Sequence, residues 1–340
     1  MLKFYKLLFF STLIMSTLIS ISSYSWMGMW IGLEINTLSI IPILINKKNK
    51  TSSESSIKYF FTQTIASTSI MLSIIMMMSQ FNFSETIMKK LPSMIMNSGF
   101  IMKMGMAPFH FWFPEVIEGL SWFNSTIMLT WQKITPMVML MYNIEMSLFF
   151  MITIIISMII SGLMVMNQIS LRKILAYSSI NHMGWMLSSM MISQTIWLIY
   201  FFIYSITTIM ITMTLNKMNT FYISQMSLMW NINPIVKLWF SLNLLSLSGI
   251  PPFMGFVPKW LTIQYLINNN MFFMSLIMIT MTLMMIYMYL TLIVPSMIMN
   301  SGISNWKIMN NSFKMSKTNS MMTLLMVLGT IMITVTLNNY

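Results

Sequence analysis

Four ionisable residues stand inside apolar runs of this sequence. Glu34 lies in GMWIGLEINTLSIIPIL, Lys103 in GFIMKMGMAPFHFWFPE, Lys133 in LTWQKITPMVML and Lys259 in SLSGIPPFMGFVPKW. A charge held in hydrocarbon costs on the order of 2.5–3.5 kcal/mol even on the lenient scale. Four unpaired ones sum to roughly 10–14 kcal/mol, comparable with the whole stability of a typical fold. Such residues must be paired, hydrated or both, and their default chemistry is an ion or proton pathway. Protons fit better than metal cations. Sodium or calcium would want clustered oxygen ligands, and this core offers one carboxylate against three ammonium groups. A lysine out of water holds its proton less firmly, and a nearby carboxylate restores the hold. Moving Glu34 nearer or farther would thus load or unload Lys103. A single buried Glu–Lys pair could be structural alone; one Glu with three Lys over four spans fits that reading less well.

Two histidines and several other charges need placing. His182, within AYSSINHMGWM, titrates near neutrality and suits a proton relay, as it also suits a satisfied core histidine. His110 follows Pro108 and either lines the Lys103 pocket or caps carbonyls that the proline frees. Lys237 reads as a lysine snorkelling to the interface. Glu115 and Glu118 read as interfacial, and Glu85 and Glu145 as loop residues.

The elements that hold these residues are membrane spans. The chain is 57% hydrophobic and 7% charged, with a mean hydropathy of +0.77. No soluble domain of 340 residues covers its surface with so few charges. About eleven spans are expected, at 4–21, 25–45, 57–79, 93–118, 124–143, 147–166, 174–192, 196–215, 235–267, 271–294 and 321–338. The fold class is all-α and polytopic, one transmembrane domain over 1–340. The N-terminus reads as an uncleaved first span, since no small-residue cleavage site follows it. GMWIG at 28–32 is a small-residue packing motif. Polar loops fall at 46–56 and 300–320. With alternating spans, one side carries Lys3, Lys6, Lys47, Lys48, Lys50, Lys58, Arg172, Lys173, Lys217, Lys307, Lys314 and Lys317, and the other Lys89 and Lys90. The basic side should be cytoplasm or matrix, with the N-terminus inside and the C-terminus outside. These loops account for the net charge of +12 without a nucleic-acid partner.

Two spans, 93–118 and 235–267, are too long for one straight crossing, and both carry prolines near the middle. Pro108 breaks the first. Gly249, Pro251, Pro252, Gly255 and Pro258 break the second, just before Lys259. A break in lipid survives only where it faces protein or water. Two interrupted, charged spans in two halves of a chain are the pattern of an inverted-repeat transporter with its site at midplane.

Composition also excludes. With no Cys, the chain has no disulfide and no thiolate-held iron–sulfur cluster. No dinucleotide fingerprint or phosphate loop occurs. The 48 Met, with Ala and Arg scarce, suit an AT-rich organellar genome that reads ATA as Met.

KMGMAPFHFWFPE, LTWQKITP, AYSSINHMGW and GIPPFMGFVPKW, in that order, resemble the antiporter-like membrane subunits of mitochondrial respiratory complex I, in the branch of subunit 2. The resemblance covers nearly the whole chain. It implies an antiporter-like fold of eleven helices, lacking three N-terminal helices of bacterial relatives. It implies a place in the membrane arm of a proton-translocating NADH:ubiquinone reductase, in the mitochondrial inner membrane, between subunits 4 and 4L, with accessory subunits and lipids such as cardiolipin as further partners. It implies a proton path through Glu34, Lys103, Lys133 and Lys259. NADH, FMN, iron–sulfur clusters and ubiquinone would be handled by other subunits, leaving no cofactor on this chain. A free-standing cation/proton antiporter and a non-pumping spacer subunit are the competing readings.

Overall fold

A computed structural model describes residues 4–46, 49–79, 86–144, 147–230 and 234–298. The expected last span at 321–338, the polar segment 300–320, and Lys3, Lys47, Lys48, Glu85, Glu145, Lys307, Lys314 and Lys317 lie outside the described residues, as does the Lys89 side chain.

The described chain is helical in the order α1 (Phe4–Ser22), α2 (Trp26–Leu44), α3 (Lys50–Ser79), α4 (Thr86–Met104), α5 (Trp112–Gly119), α6 (Trp122–Leu129), α7 (Trp131–Met141), α8 (Ser147–Val165), α9 (Leu171–Met190), α10 (Gln194–Met218), α11 (Ile223–Trp230), α12 (Pro234–Ser248), α13 (Phe256–Asn268) and α14 (Phe272–Ile298). Among them α1, α2, α3, α8, α10 and α14 are each long and apolar enough to cross a membrane. The chain divides into two compact units, residues 1–157 and 158–340, with α8 shared out between them.

Local chemistry explains how so polar a set of residues fills apolar helices. Ser16, Thr17, Ser20, Ser39, Ser55, Ser73, Ser125, Ser157, Ser178 and Ser188 each turn the hydroxyl back onto the carbonyl three residues earlier, at 2.5–3.0 Å. A hydroxyl satisfied within its own helix carries no penalty for leaving water. Ser25 caps α2 by accepting from the Gly28 N–H, and Ser193 caps α10 by accepting from the Ile196 N–H.

In the first unit α2 packs on α1 and α3, and α4 and α5 pack on α3. The motif at 28–32 is a packing device. A Cβ at Gly32 would lie 2.7 Å from Ser20 Cβ and 2.8 Å from Ser20 N, so only glycine lets α1 and α2 approach this closely. In the second unit α9 is buried at every position from Ile174 to Met190. A helix covered on all sides needs no apolar stripe, which is why AYSSINHMGW can be so polar.

The two expected breaks are both present, between α4 and α5 and between α12 and α13. A third interruption, unexpected, separates α6 from α7 at Thr130 (φ −115°, ψ −70°). No glycine or proline announces it. The Thr130 hydroxyl bonds the Thr126 carbonyl at 2.7 Å, a back-bond that bends helices. The eight-residue α11 is likewise an element that the span count does not include.

Candidate functional site

The first break is a helix terminator followed by a capped loop. Gly105 takes φ +73° after the last turn of α4. Its N–H donates to Met102 O at 3.1 Å, and the Met106 N–H to Ile101 O at 3.2 Å. This pairing is the glycine-ended helix stop, which a side chain at Gly105 would strain. The carbonyls that the break frees find protein donors. Gln63 Nε2 donates to Lys103 O and Trp112 Nε1 to Met102 O, both at 3.2 Å. His110 is buried with Nδ1 3.3 Å from Pro108 O, a carbonyl of the loop between α4 and α5.

Lys103, in the last turn of α4, is buried, and its Nζ makes no hydrogen bond among the described residues. Glu34 is half-buried. Among the described residues its Oε1 has no hydrogen-bond partner, and its Oε2 lies 3.5 Å from Thr37 Oγ1. Glu34 and Lys103 therefore do not form a direct contact pair. Beside Lys103 is a cavity of about 10 Å³, lined by Asn36, Thr37, Gln63, Gln132 and Thr135 among others. That volume holds a single water. Its wall is fixed by amides: Asn36 Nδ2 donates to Gln132 Oε1 and Gln132 Nε2 to Asn36 Oδ1, each at 3.2 Å. The Tyr59 hydroxyl donates to the same Gln132 Oε1 at 3.4 Å. Lys133 is 1% exposed, and its Nζ stands 5.2 Å from the Phe113 ring centroid, a cation–π contact.

In the second unit Gly249 (φ +80°) ends α12. Lys259, in the first turn of α13, is buried and reaches back so that its Nζ donates to Ser248 O at 2.7 Å. The ammonium thus caps the carbonyl end of α12, where the helix dipole favours a cation. A Cβ at Gly249 would lie 2.9 Å from that Nζ, so the seat exists only with glycine there. The Trp185 ring centroid is 6.0 Å from the same Nζ. His182, on α9, is buried with Nδ1 2.9 Å from the Tyr200 hydroxyl. A second cavity of about 10 Å³ is lined by His182, Tyr200, Tyr204, Thr207, Ser246 and Gly255 among others.

Unit 1 thus brings Lys103 together with Asn36, Gln63 and Gln132, and unit 2 brings His182 and Lys259 to the surroundings of one break. Lys237 is 9% exposed. Glu115 pairs with Lys58 at 2.6 Å, both side chains 55% exposed. The uncharged residues Asn36, Tyr59, Gln63, Gln132 and Tyr200 were missed by a search for charges. Their only signal is an amide or phenol in an apolar run with no partner in its own helix.

The family model described as NADH:quinone oxidoreductase/Mrp antiporter, transmembrane, matches residues 23–285. NADH-ubiquinone oxidoreductase chain 2 of Anopheles gambiae is 45% identical over 96% of this chain and 96% of that protein. The chain belongs to the NADH-ubiquinone oxidoreductase chain 2 family. The mouse member, from Mus musculus, is 39% identical over 94% of each chain. A chain of respiratory complex I from Thermus thermophilus superposes with a TM-score of 0.82 at 19% identity, over 96% of this chain and 79% of that one. A chain of the Mrp complex from Dietzia sp. superposes with a TM-score of 0.74 at 14% identity, over 83% and 58%. The chain 2 fold is therefore the antiporter-like, all-helical, multi-pass membrane fold that the two broken spans led one to expect.

Proposed function

We propose that this chain is a core membrane-arm subunit of respiratory complex I and translocates protons across the mitochondrial inner membrane, coupled to NADH oxidation and ubiquinone reduction. The whole of 1–340 acts as one transmembrane domain, with the N-terminus on the matrix side and the C-terminus on the intermembrane side. Its neighbours are subunits 4 and 4L, accessory subunits and lipids such as cardiolipin. The redox groups sit on other subunits, and this chain contributes no redox centre. Glu34, Lys103, Lys133, His182 and Lys259 form the relay.

One observation carries this reading: among the described residues the buried Lys103 ammonium has no hydrogen-bond partner, beside a water-sized cavity lined by amides and hydroxyls. A structural lysine would be expected to use its donors on the carbonyls freed by the break. Here Gln63 and Trp112 take the carbonyls of Lys103 and Met102, and the ammonium is left for water. Because Glu34 stands off, its influence on Lys103 is electrostatic across a gap, which suits a group that must both gain and lose a proton. Against about 150–200 mV, each proton needs roughly 3.5–4.6 kcal/mol for the electrical part alone, and a lysine whose surroundings change supplies energies of that order.

The test is Lys103→Met, with NADH-driven proton uptake into sealed vesicles measured on membranes checked for assembly. Intact assembly with uptake reduced at least tenfold is expected. Normal uptake would overturn the relay. The spacer reading draws support at one position, since the Lys259 bond to Ser248 O serves structure.

A further inference from the structure

We propose that Tyr200 is a positioning residue for His182, and that it keeps the imidazole in register with the α12–α13 break through the cavity the two residues share. This rests on the relay reading above and adds to it a residue that carries no charge.

His182 stands on the helix buried at every position from Ile174 to Met190, so its ring orientation is set by protein. Tyr200 comes from α10, eighteen residues on, and places its hydroxyl 2.9 Å from Nδ1. The Tyr204 ring, one turn further along α10, has its centroid 5.1 Å from the imidazole and fills the space beside it. In a neutral imidazole one nitrogen donates and the other accepts, and the partner at one nitrogen decides the role of the other. A phenol can act both ways. Its O–H donates to the Nδ1 lone pair, or its oxygen accepts from Nδ1–H, and it changes role by rotating the O–H without ionising. The pair therefore holds the ring still while the proton moves between the two nitrogens.

The cavity gives this pairing a direction. Its lining joins His182 and Tyr200 to Thr207 on α10, Ser246 on α12 and Gly255 at the start of α13. Its volume of about 10 Å³ is the size of one water. Ser246 and Gly255 flank the break whose carbonyl end holds Lys259. A ring turned away from Tyr200 would lose both its hydrogen-bond partner at Nδ1 and its access to this space.

The experiment is a double-mutant cycle on the assembled complex, with Tyr200→Phe, His182→Gln and both together. Tyr200→Phe removes one oxygen and keeps the ring, so packing survives. NADH-driven proton uptake per assembled complex is read in sealed vesicles, with Lys103→Met run alongside. Tyr200→Phe should lower uptake about two- to tenfold, the range of one hydrogen bond, and should have no further effect on the His182→Gln background. Uptake at the wild-type level in Tyr200→Phe, equal fold losses in both backgrounds, or failure of Tyr200→Phe to assemble would each overturn the proposal. If Lys103→Met abolishes uptake while Tyr200→Phe leaves it at the wild-type level, the Tyr200 inference alone falls. If neither variant changes uptake, the relay reading falls with it.

Discussion

Replacing Lys259 by Met separates structure from proton transfer at the second break. The ammonium donates to Ser248 O at 2.7 Å, a charge-assisted bond contributing about 1.5–3 kcal/mol. Its contact with the Trp185 ring, at 6.0 Å, contributes about 0.5–1 kcal/mol more. Met forfeits both and leaves the Ser248 carbonyl without this donor. Against that, removing an ammonium from the membrane interior recovers about 2.5–3.5 kcal/mol, and Met nearly conserves volume. The two sides almost cancel, so the net change is within about 1.5 kcal/mol of zero in either direction. Assembled complex, measured by native electrophoresis and by thermal inactivation of NADH oxidation, should stay near the wild-type level, while proton uptake falls at least tenfold. Loss of the assembled complex would refute the cancellation and make the lysine a structural cap. Normal assembly with normal uptake would remove Lys259 from the relay.

Two further outcomes follow from the first unit. Gln132→Leu strands the Asn36 amide and the Tyr59 hydroxyl, both buried, and should destabilise by about 1–3 kcal/mol, seen as earlier thermal inactivation. Gly32→Val drives a side chain into the Ser20 backbone and should cost about 1–3 kcal/mol, seen as a lower yield of assembled complex.

The breaks were legible because glycine and proline announce them: Gly105 and Gly249 both take positive φ where their helices stop. The buried charges were legible because each costs so much in an apolar run that chance does not explain it. The Thr130 interruption was not legible, since a threonine inside a helix more often keeps helical angles than leaves them. Nor was the amide pair of Asn36 and Gln132, ninety-six residues apart, because nothing local distinguishes a paired amide from a solitary one.

The two breaks solve one problem with different donors, and the difference bears on function. Ending a helix inside a membrane leaves carbonyls that must be satisfied by protein or water. At the first break neutral donors do this: Gln63 on Lys103 O and Trp112 on Met102 O. The lysine is spared, and its ammonium makes no hydrogen bond among the described residues. At the second break the lysine itself does the capping, and the glycine at Gly249 clears room for it. A proton leaving Lys103 disturbs no backbone bond, whereas one leaving Lys259 weakens the bond that closes α12. Proton loss at the first lysine should therefore be structurally silent. At the second it should be tied to the geometry of the break, so that the α12–α13 junction, rather than the α4–α5 junction, is where a proton leaving its lysine would alter the backbone.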